Sequence, residues 1–207
     1  MQLAIIDYQL GNLFSVRQAC VNLGYDPIVT GDPDVVRKAD ALILPGVGAF
    51  GAAMETLRQN GLDAAIHESV RAGKPFMGVC LGMQLLFSES TEFGAGQGLG
   101  LVPGQIIRLP GGPGTKIPQI AWNNIAPAAV AWADSPLADL APGTYMYFVH
   151  SYYCAPTDPA VALTETTFEG FRYCSALQHE NLFATQFHPE KSGELGLSIY
   201  RRWLESI

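Results

Sequence analysis

The sequence is short of positive charge and has no long apolar segment. Its 12 Lys and Arg residues stand against 19 Asp and Glu, which gives a formal net charge of -7 over 207 residues. No basic run is present to neutralise phosphates, which argues against a general nucleic-acid binder. No apolar stretch reaches the length of a membrane span, and Met1 leads into a predicted strand rather than a signal peptide. We therefore expect neither nucleic acid nor membrane among its partners.

Cysteine is also scarce. The four cysteines, Cys20, Cys80, Cys154 and Cys174, have no C-x-x-C spacing. Without a secretory signal we expect them to be reduced thiols in the cytoplasm rather than a disulfide framework. The four histidines do not combine with them in a metal-ligand spacing, so the sequence predicts no metal site.

The first part of the chain alternates short apolar runs with helical segments, the pattern of βαβ units and a largely parallel sheet. Three apolar runs are predicted to be strands: residues 2–7, 27–30 and 41–44. A helix is predicted to open at Gly11-Asn12, with Asn12 as its cap, and to stop at Gly24. Residues 51–72 are predicted to be helical, with a break at Asn60-Gly61.

Two-residue periodicity dominates the later part, which predicts an antiparallel addition to the parallel sheet. The predicted strands there are residues 105–109, 120–125, 145–149 and 171–177. A last helix, capped by Ser192, is predicted to pack Leu195, Ile199 and Trp203 on the core. We expect one domain over residues 1–207, an α/β fold with a mostly parallel central sheet flanked by helices and an antiparallel β extension.

One stretch carries the first sign of chemistry. A predicted buried strand runs into Gly78-Val79-Cys80-Leu81-Gly82, and good helix formers follow over residues 81–87. This G-x-C-x-G core is the thiol counterpart of the G-x-S-x-G nucleophile elbow, a sharp turn that lifts one side chain out of the backbone. The alternative is a buried structural cysteine. The flanking glycines favour a nucleophile, because a Cβ at either position would crowd the turn.

A second glycine pattern follows the third predicted strand. Gly46, Gly48 and Gly51 have the G-x-G-x-x-G spacing of a dinucleotide site. The pattern follows the third strand rather than the first, Pro45 interposes, and no acidic residue ends a next strand at the expected distance. We therefore reject a dinucleotide site as the main interpretation.

The same loop can instead provide hydrogen-bond donors next to Cys80, because the carboxyl ends of parallel strands meet at one edge of a sheet. A tetrahedral intermediate on Cys80 needs two N–H donors. We predict an oxyanion hole formed by Leu81 together with the segment Gly46, Val47 and Gly48. A flexible glycine loop before a helix remains the alternative.

The stretch over residues 182–193 places a glutamate two positions after a histidine. A predicted strand runs into His188, and Pro189 favours extended geometry at His188 itself. Residues two apart in an extended chain face the same way, so we expect Glu190 beside the imidazole. This is the base-and-orienter arrangement of a catalytic triad. The alternative is an ordinary histidine at a strand end, and the Cys80 turn in the same chain favours catalysis.

Together, residues 78–84 and 186–192 resemble the motifs of the triad-type (class I) glutamine amidotransferases. Other segments resemble one branch of that family, the glutaminase subunits that pass ammonia to a (β/α)8 cyclase in histidine biosynthesis. These segments are residues 7–8, 11–13, 45–50, 98–101, 122–123 and 147–153, together with Lys191. The resemblance spans essentially the whole chain and implies the fold of class I glutamine amidotransferases.

The resemblance implies a reaction and a partner. Cys80 would attack the side-chain amide of glutamine, His188 would transfer the proton and Glu190 would orient His188. Ammonia would leave, and water would release glutamate without a cofactor. In a heterodimer, the ammonia would pass to the cyclase, which forms imidazole glycerol phosphate and an aminoimidazole carboxamide ribotide.

The resemblance also implies roles outside the triad. Four residues match positions that hold glutamine: Gln84, Glu92, Ser151 and Tyr152. A carboxylate such as Glu92 suits the ammonium group of this zwitterion. Four residues match positions at the cyclase interface: Asn12, Trp122, Tyr147 and Lys191. The loop 45–48 matches the family's oxyanion strand, whose peptide orientation is expected to respond to the partner.

Two departures from the family pattern lie in segments associated with the partner. Gln9 follows Asp-Tyr where glycine is common, and Gln119 and Ala121 stand where the family has His and Gly. A paralogue that feeds ammonia to a different synthase, for example in sugar amidination, is therefore an alternative. A cysteine hydrolase is another alternative, but the pair Gln84 and Glu92 favours glutamine over a peptide as substrate. A non-catalytic binding subunit is a third, and the intact triad residues argue against it.

Overall fold

The computed structural model describes residues 1–112, 114–128 and 131–207. The helices are α1 (Leu13–Asn22), α2 (Pro33–Lys38), α3 (Phe50–Gln59), α4 (Leu62–Arg71), α5 (Leu81–Leu85) and α6 (Gly193–Glu205). The strands are β1 (Leu3–Ile6), β2 (Ile28–Thr30), β3 (Ala41–Gly46), β4 (Phe76–Cys80), β5 (Phe87–Ser90), β6 (Gly96–Gln97), β7 (Val102–Arg108), β8 (Gln119–Asn124), β9 (Ala126–Pro127), β10 (Tyr145–His150), β11 (Tyr152–Pro156), β12 (Ala162–Phe168), β13 (Phe171–His179) and β14 (Leu182–Thr185). Within these described ranges, no helix combines the length and apolar character that a membrane span requires.

The main sheet runs in the order β2-β1-β3-β4-β14-β13-β11-β7-β5-β6, with β12 and β9 attached beside β13. From β2 to β14 every neighbouring pair is parallel. Beyond β14 the pairing is antiparallel except between β5 and β7. The predicted α/β fold with a mostly parallel part and an antiparallel extension is confirmed.

The parallel part brings three loops to one edge of the sheet. Gly46 at the end of β3 is in register with Cys80 at the end of β4. Thr185, the last residue of β14, pairs with Val79 on the other side of β4. The segments that follow β3, β4 and β14 therefore leave the sheet side by side. Strands β1, β3, β4 and β14 are buried throughout, as expected for parallel strands covered on both faces.

The helix after Cys80 is shorter than predicted. It ends at Leu85, and Phe87 already belongs to β5. The Leu86 carbonyl accepts the amides of Leu101 and Val102, so it serves the pairing with the following segment instead of another helical turn. Good helix formers alone did not decide the end of this helix, because the tertiary pairing overrides their preference.

Several other elements also differ from the sequence predictions. The strands β11 and β12 and the helix α2 were not predicted, although Asp32 and Pro33 give α2 an ordinary start, with the Asp32 carboxylate accepting the Asp34 amide. The predicted strands at 120–125 and 145–149 pair with each other as β8 and β10 in a separate two-stranded sheet. The predicted break at Asn60-Gly61 is confirmed, because Gly61 adopts φ +67 between α3 and α4.

The two predicted helix caps are correct in position but make no capping hydrogen bond. Asn12 and Ser192 stand at the N-cap positions of α1 and α6, but neither side chain makes a capping hydrogen bond. The Ser192 hydroxyl instead donates to the His188 carbonyl and accepts the Tyr147 amide. It therefore ties the start of α6 to the segment around His188 and to β10.

The prediction for the face of α6 is correct for two of three residues. Ile199 and Trp203 are buried in the core, whereas Leu195 is 51% exposed. The buried stripe of α6 runs through Gly196, Ile199 and Trp203, and Leu195 lies one residue, about 100° of rotation, away from it.

Candidate active site

Cys80 occupies a strained turn between β4 and α5. Its backbone has φ +55 and ψ -109, a left-handed region that residues with a Cβ rarely adopt. A Cβ on Gly78 would lie 3.0 Å from the Gly82 carbonyl oxygen, and a Cβ on Gly82 would overlap the carbonyl of Leu44. Glycine is therefore required on both sides of Cys80, and the turn has the sharp strand-to-helix geometry predicted from the sequence.

His188 and Glu190 form a buried pair. The imidazole Nδ1 lies 2.8 Å from Glu190 Oε1, and the two side chains are only 2% and 1% exposed. The contact was predicted, but the backbone conformation that produces it was not. Pro189–Lys191 forms a single 3-10 turn rather than extended chain. The His188 amide also donates to the Tyr147 carbonyl at 3.0 Å, which ties this segment to β10.

The electrostatic environment favours a charged imidazole. Burial alone lowers the pKa of His188, but close contacts with Cys80 and Glu190 outweigh burial and raise the pKa to about 10. Among the described residues, the remaining ring nitrogen, Nε2, has no hydrogen-bond partner. Catalytic hydrogen bonds are often long or poorly aligned in sites without substrate. Imidazolium is therefore the favoured form at neutral pH.

The glycine loop after β3 lies beside Cys80, but one of its amides points elsewhere. Val47 N–H donates to the Leu10 carbonyl at 3.4 Å. Gly48 follows with φ +98, a conformation that favours glycine. Leu81 opens α5, so its amide has no acceptor within the helix. The structure brings both predicted halves of the oxyanion hole to the site, with the Val47 amide turned to Leu10.

A pocket of about 240 Å³ opens onto Cys80. Its walls include the four residues assigned by resemblance to substrate binding: Gln84, Glu92, Ser151 and Tyr152. Val47, Gly48 and Leu81 also line this pocket, whereas the buried His188 does not. The volume is below the roughly 300–1,000 Å³ of sites for drug-sized ligands, so the pocket suits a small metabolite. A larger cleft of about 440 Å³ around Gln178 and Trp203 lies at the opposite edge of the sheet, away from Cys80.

Glu92 and Gln84 are both held by other parts of the protein. Glu92 Oε2 accepts the Phe50 amide at the start of α3. Gln84 Nε2 donates to the Tyr152 carbonyl and to Gln186 Oε1, each at 2.9 Å. These contacts fix two of the side chains that line the pocket.

Three of the four predicted interface residues form one cluster. The rings of Trp122 and Tyr147 meet edge to face at 6.0 Å, and Lys191 Nζ lies 5.9 Å from the centre of the Tyr147 ring. Trp122 is 53% exposed. The Tyr147 ring also lies 6.4 Å from the His188 imidazole. The fourth residue, Asn12, stands at the start of α1, which contacts the 3-10 turn containing Lys191.

One departure from the family pattern has a conformational consequence. Gln9 adopts φ +67, a backbone conformation that costs little only for glycine. The common glycine at this position in the family therefore has a steric reason. In this chain the Gln9 amide donates to the Asp7 carboxylate at 2.8 Å, which holds the turn.

Sequence reasoning missed two buried residues of the site. Gln186 Nε2 lies 3.7 Å from Cys80 Sγ, and Gln186 is fully buried. His150 lines the pocket, and burial lowers its pKa to about 4. A polar residue within an apolar run just before His188 was the available signal for Gln186. His150 lies in the segment 147–153 that resembles the family, but no role was predicted for it.

Comparison with known proteins gives a consistent result. Residues 4–205 match the model of the family "Glutamine amidotransferase class-I". The chain is 47% identical to imidazole glycerol phosphate synthase subunit HisH of Methanothermobacter thermautotrophicus, over 99% of this chain and 98% of the relative. It is 43% identical to the subunit of the same name from Geobacter sulfurreducens, over the same shares of the two chains.

Solved structures agree with this result at the level of the fold. PurLQS from Thermotoga maritima matches with a TM-score of 0.77 at 18% identity, over 99% of this chain and 98% of that chain. A second structure, described only as a glutamine amidotransferase, matches with a TM-score of 0.75 at 16% identity, over the same shares. The chain belongs to the class I glutamine amidotransferase family, within which its sequence is similar to the HisH subunits of imidazole glycerol phosphate synthase.

Proposed function

We propose that this chain is a cytoplasmic glutaminase, one amidotransferase domain over residues 1–207, that needs no cofactor and supplies ammonia to a partner synthase. The observation that carries the proposal is the strained Cys80 beside the buried His188–Glu190 pair, at the mouth of a small pocket. Cys80 is the nucleophile, His188 the proton carrier and Glu190 the group that orients and stabilises the imidazolium.

The reaction has two halves. Cys80 Sγ, whose proton has passed to His188, forms a bond to the side-chain carbonyl carbon of glutamine, and the carbonyl oxygen takes the negative charge. His188 gives a proton to the amide nitrogen, the C–N bond breaks and ammonia leaves a glutamyl thioester. His188 then takes a proton from water, which attacks the thioester. The C–S bond breaks, glutamate leaves and the thiol regains its proton.

The developing oxyanion needs donors that are only partly in place. Leu81 supplies one amide, and the loop from Gly46 to Gly48 supplies the other. Because the Val47 amide is bonded to Leu10, we expect a low basal rate until the loop turns this amide towards the pocket. One missing oxyanion donor typically costs about 100- to 1,000-fold in turnover.

The pocket offers complementary groups to a zwitterionic amino acid. Both N–H groups of Gln84 are used by Tyr152 and Gln186, so its Oε1 remains as an acceptor. Glu92 provides negative charge for the α-ammonium group. Backbone groups around Ser151 and Tyr152 complete the wall and suit the α-carboxylate.

The partner in this proposal is the (β/α)8 cyclase of histidine biosynthesis, as a heterodimer. The names of the relatives support it, and so does the exposed cluster of Trp122, Tyr147 and Lys191, near Asn12 at the start of α1. Ammonia released at Cys80 would enter the cyclase for the formation of imidazole glycerol phosphate and the aminoimidazole carboxamide ribotide. The departures at Gln9 and Gln119 favour the second candidate, a paralogue that serves another synthase.

The test of the nucleophile is glutamate release by the wild type, Cys80→Ala and Cys20→Ala. Both cysteines are buried, but Cys20 lies in α1, away from the pocket. Cys80→Ala should abolish turnover while circular dichroism remains native, and Cys20→Ala should keep its turnover. Substantial turnover by Cys80→Ala would remove Cys80 as the nucleophile.

A further inference from the structure

Gln186 is a buried polar side chain that the reaction described above does not use. It follows β14, two residues before His188, and it is fully buried. One end of its amide lies 3.7 Å from Cys80 Sγ, and the other lies 2.9 Å from Gln84 Nε2. Its backbone amide donates to the Ser175 carbonyl on β13 at 2.9 Å, so the residue is anchored on the neighbouring strand.

The hydrogen bonds determine which end of this amide faces the sulfur. The Tyr152 carbonyl can only accept, so the Gln84 atom 2.9 Å away must be its nitrogen. The second N–H of Gln84 then points to Gln186, which must present its oxygen. The Gln186 nitrogen therefore faces Cys80 Sγ as a donor.

The Tyr152 carbonyl that sets this direction is held from a second side. His150 Nδ1 lies 2.9 Å from it. Burial lowers the pKa of His150 to about 4, so the ring is neutral at neutral pH, and its Nδ1 must carry the proton to pair with a carbonyl. Two donors thus fix the carbonyl, and through Gln84 they fix the orientation of Gln186.

Besides His188, the Cys80 sulfur has contacts with Val149 and Gln186 that favour opposite protonation states. The thiol can donate to the Val149 carbonyl, 3.9 Å away. When the sulfur is ionised, the contact with the Val149 carbonyl gives no hydrogen bond, because both atoms are acceptors. The contact with the Gln186 N–H becomes stronger, because hydrogen bonds to an ionised acceptor are roughly twice as strong as neutral ones.

Several other titratable groups surround Cys80 among the described residues. His188 faces it from the segment after β14, and Glu92 and His150 line the same pocket. Tyr8 and Cys154 lie within electrostatic range. Burial raises the pKa of both Tyr8 and Cys154, so both remain neutral near neutral pH. His188 can stabilise the Cys80 thiolate by its charge, which depends on pH. Gln186 adds a neutral hydrogen-bond donor, and the amide does not change its charge with pH.

We propose that, given the nucleophilic role of Cys80 in the proposed function, Gln186 is a further catalytic residue that stabilises the Cys80 thiolate by donating its amide N–H to the sulfur. Its donor direction is set by Gln84, the Tyr152 carbonyl and His150. This contact acts on the reacting atom before substrate binds and again when the thiolate leaves the thioester.

The experiment measures alkylation of Cys80 by iodoacetamide over a range of pH, with mass spectrometry of the labelled peptide. The thiolate sulfur forms a bond to the methylene carbon, and iodide leaves. The variant is Gln186→Met, which keeps the length of the side chain and removes the donor. The control is Thr185→Val. Thr185 is as fully buried as Gln186, but its hydroxyl donates to the Phe187 carbonyl rather than to Cys80. Gln186→Leu replaces Gln186→Met if the latter does not give native circular dichroism.

Gln186→Met should lower the alkylation rate near neutral pH about tenfold, the effect of a modest hydrogen bond to a charged acceptor. The rates of variant and wild type should converge at high pH, where the thiol ionises without help. Thr185→Val should follow the wild type throughout. An unchanged rate, or an equal loss at every pH, would overturn the role of Gln186. If wild-type Cys80 reacts no faster than Cys20, the nucleophile assignment itself fails.

Discussion

Replacing Glu190 with glutamine tests the electrostatics of the His188 pair directly. Glu190 Oε1 lies 2.8 Å from His188 Nδ1, in a setting where both side chains are almost fully buried. Hydrogen bonds to charged groups contribute about 1.5–3 kcal/mol, and each pKa unit corresponds to about 1.36 kcal/mol. Glu190→Gln should therefore lower the pKa of His188 by about one to two units from its value of about 10.

The sign of the accompanying stability change follows from the raised pKa. A group whose pKa is raised on folding stabilises the folded state fully below its unfolded value of 6.5 and loses this contribution as the pH rises through about 10. The wild type should therefore lose free energy of unfolding between these two pH values. In Glu190→Gln the loss should be smaller and should occur at lower pH.

The assay is a nuclear magnetic resonance titration of the labelled imidazoles, assigned with His188→Asn, together with urea unfolding at several pH values. Glu194→Gln is the matched control, since Glu194 is exposed on the first turn of α6. Glutamate release should fall about 100-fold or more in Glu190→Gln, because the imidazolium loses its partner. An unchanged pKa of His188 in Glu190→Gln would refute this account of the pair.

Two further substitutions test the turn and the partner surface. Gly82→Ala should destabilise the fold by about 3 kcal/mol in urea unfolding, because its Cβ would overlap the Leu44 carbonyl. Gly51→Ala, in open space on α3, should instead stabilise by about 0.5–1 kcal/mol, and equal effects of the two would contradict the steric argument. Lys191→Ala should lower the ratio of cyclase-stimulated to basal turnover without changing stability, whereas Lys38→Ala on α2 should not. An unchanged ratio in Lys191→Ala would show that the interface lies elsewhere.

The sequence allowed the parallel half of the fold to be predicted well, because its signals are local. The apolar runs of β1, β3 and β4 and the glycines around Cys80 each have a direct steric or periodic cause. The end of α5 could not be predicted in the same way, because it depends on pairing with residues 101–102. The separate pairing of β8 with β10 likewise depends on contacts far apart in the chain.

The candidate site shows the same division. The positions of Cys80 and His188 followed from motifs that leave little freedom to the backbone. The roles of Gln186 and His150 were missed because they come from hydrogen bonds to Gln84, Cys80 and Tyr152, which depend on contacts between separate elements of the fold. The direction of the Val47 amide is a property of one peptide plane, and only the structure reveals it.

The most direct test of the central claim is glutamate release by the purified chain, first alone and then with the (β/α)8 cyclase from the same genome and its nucleotide ligand. The account predicts low turnover alone, because the Val47 amide is bonded to Leu10, and a sharp rise with the liganded cyclase. High turnover of the isolated chain, or no response to that cyclase, would contradict a gated glutaminase that serves this partner.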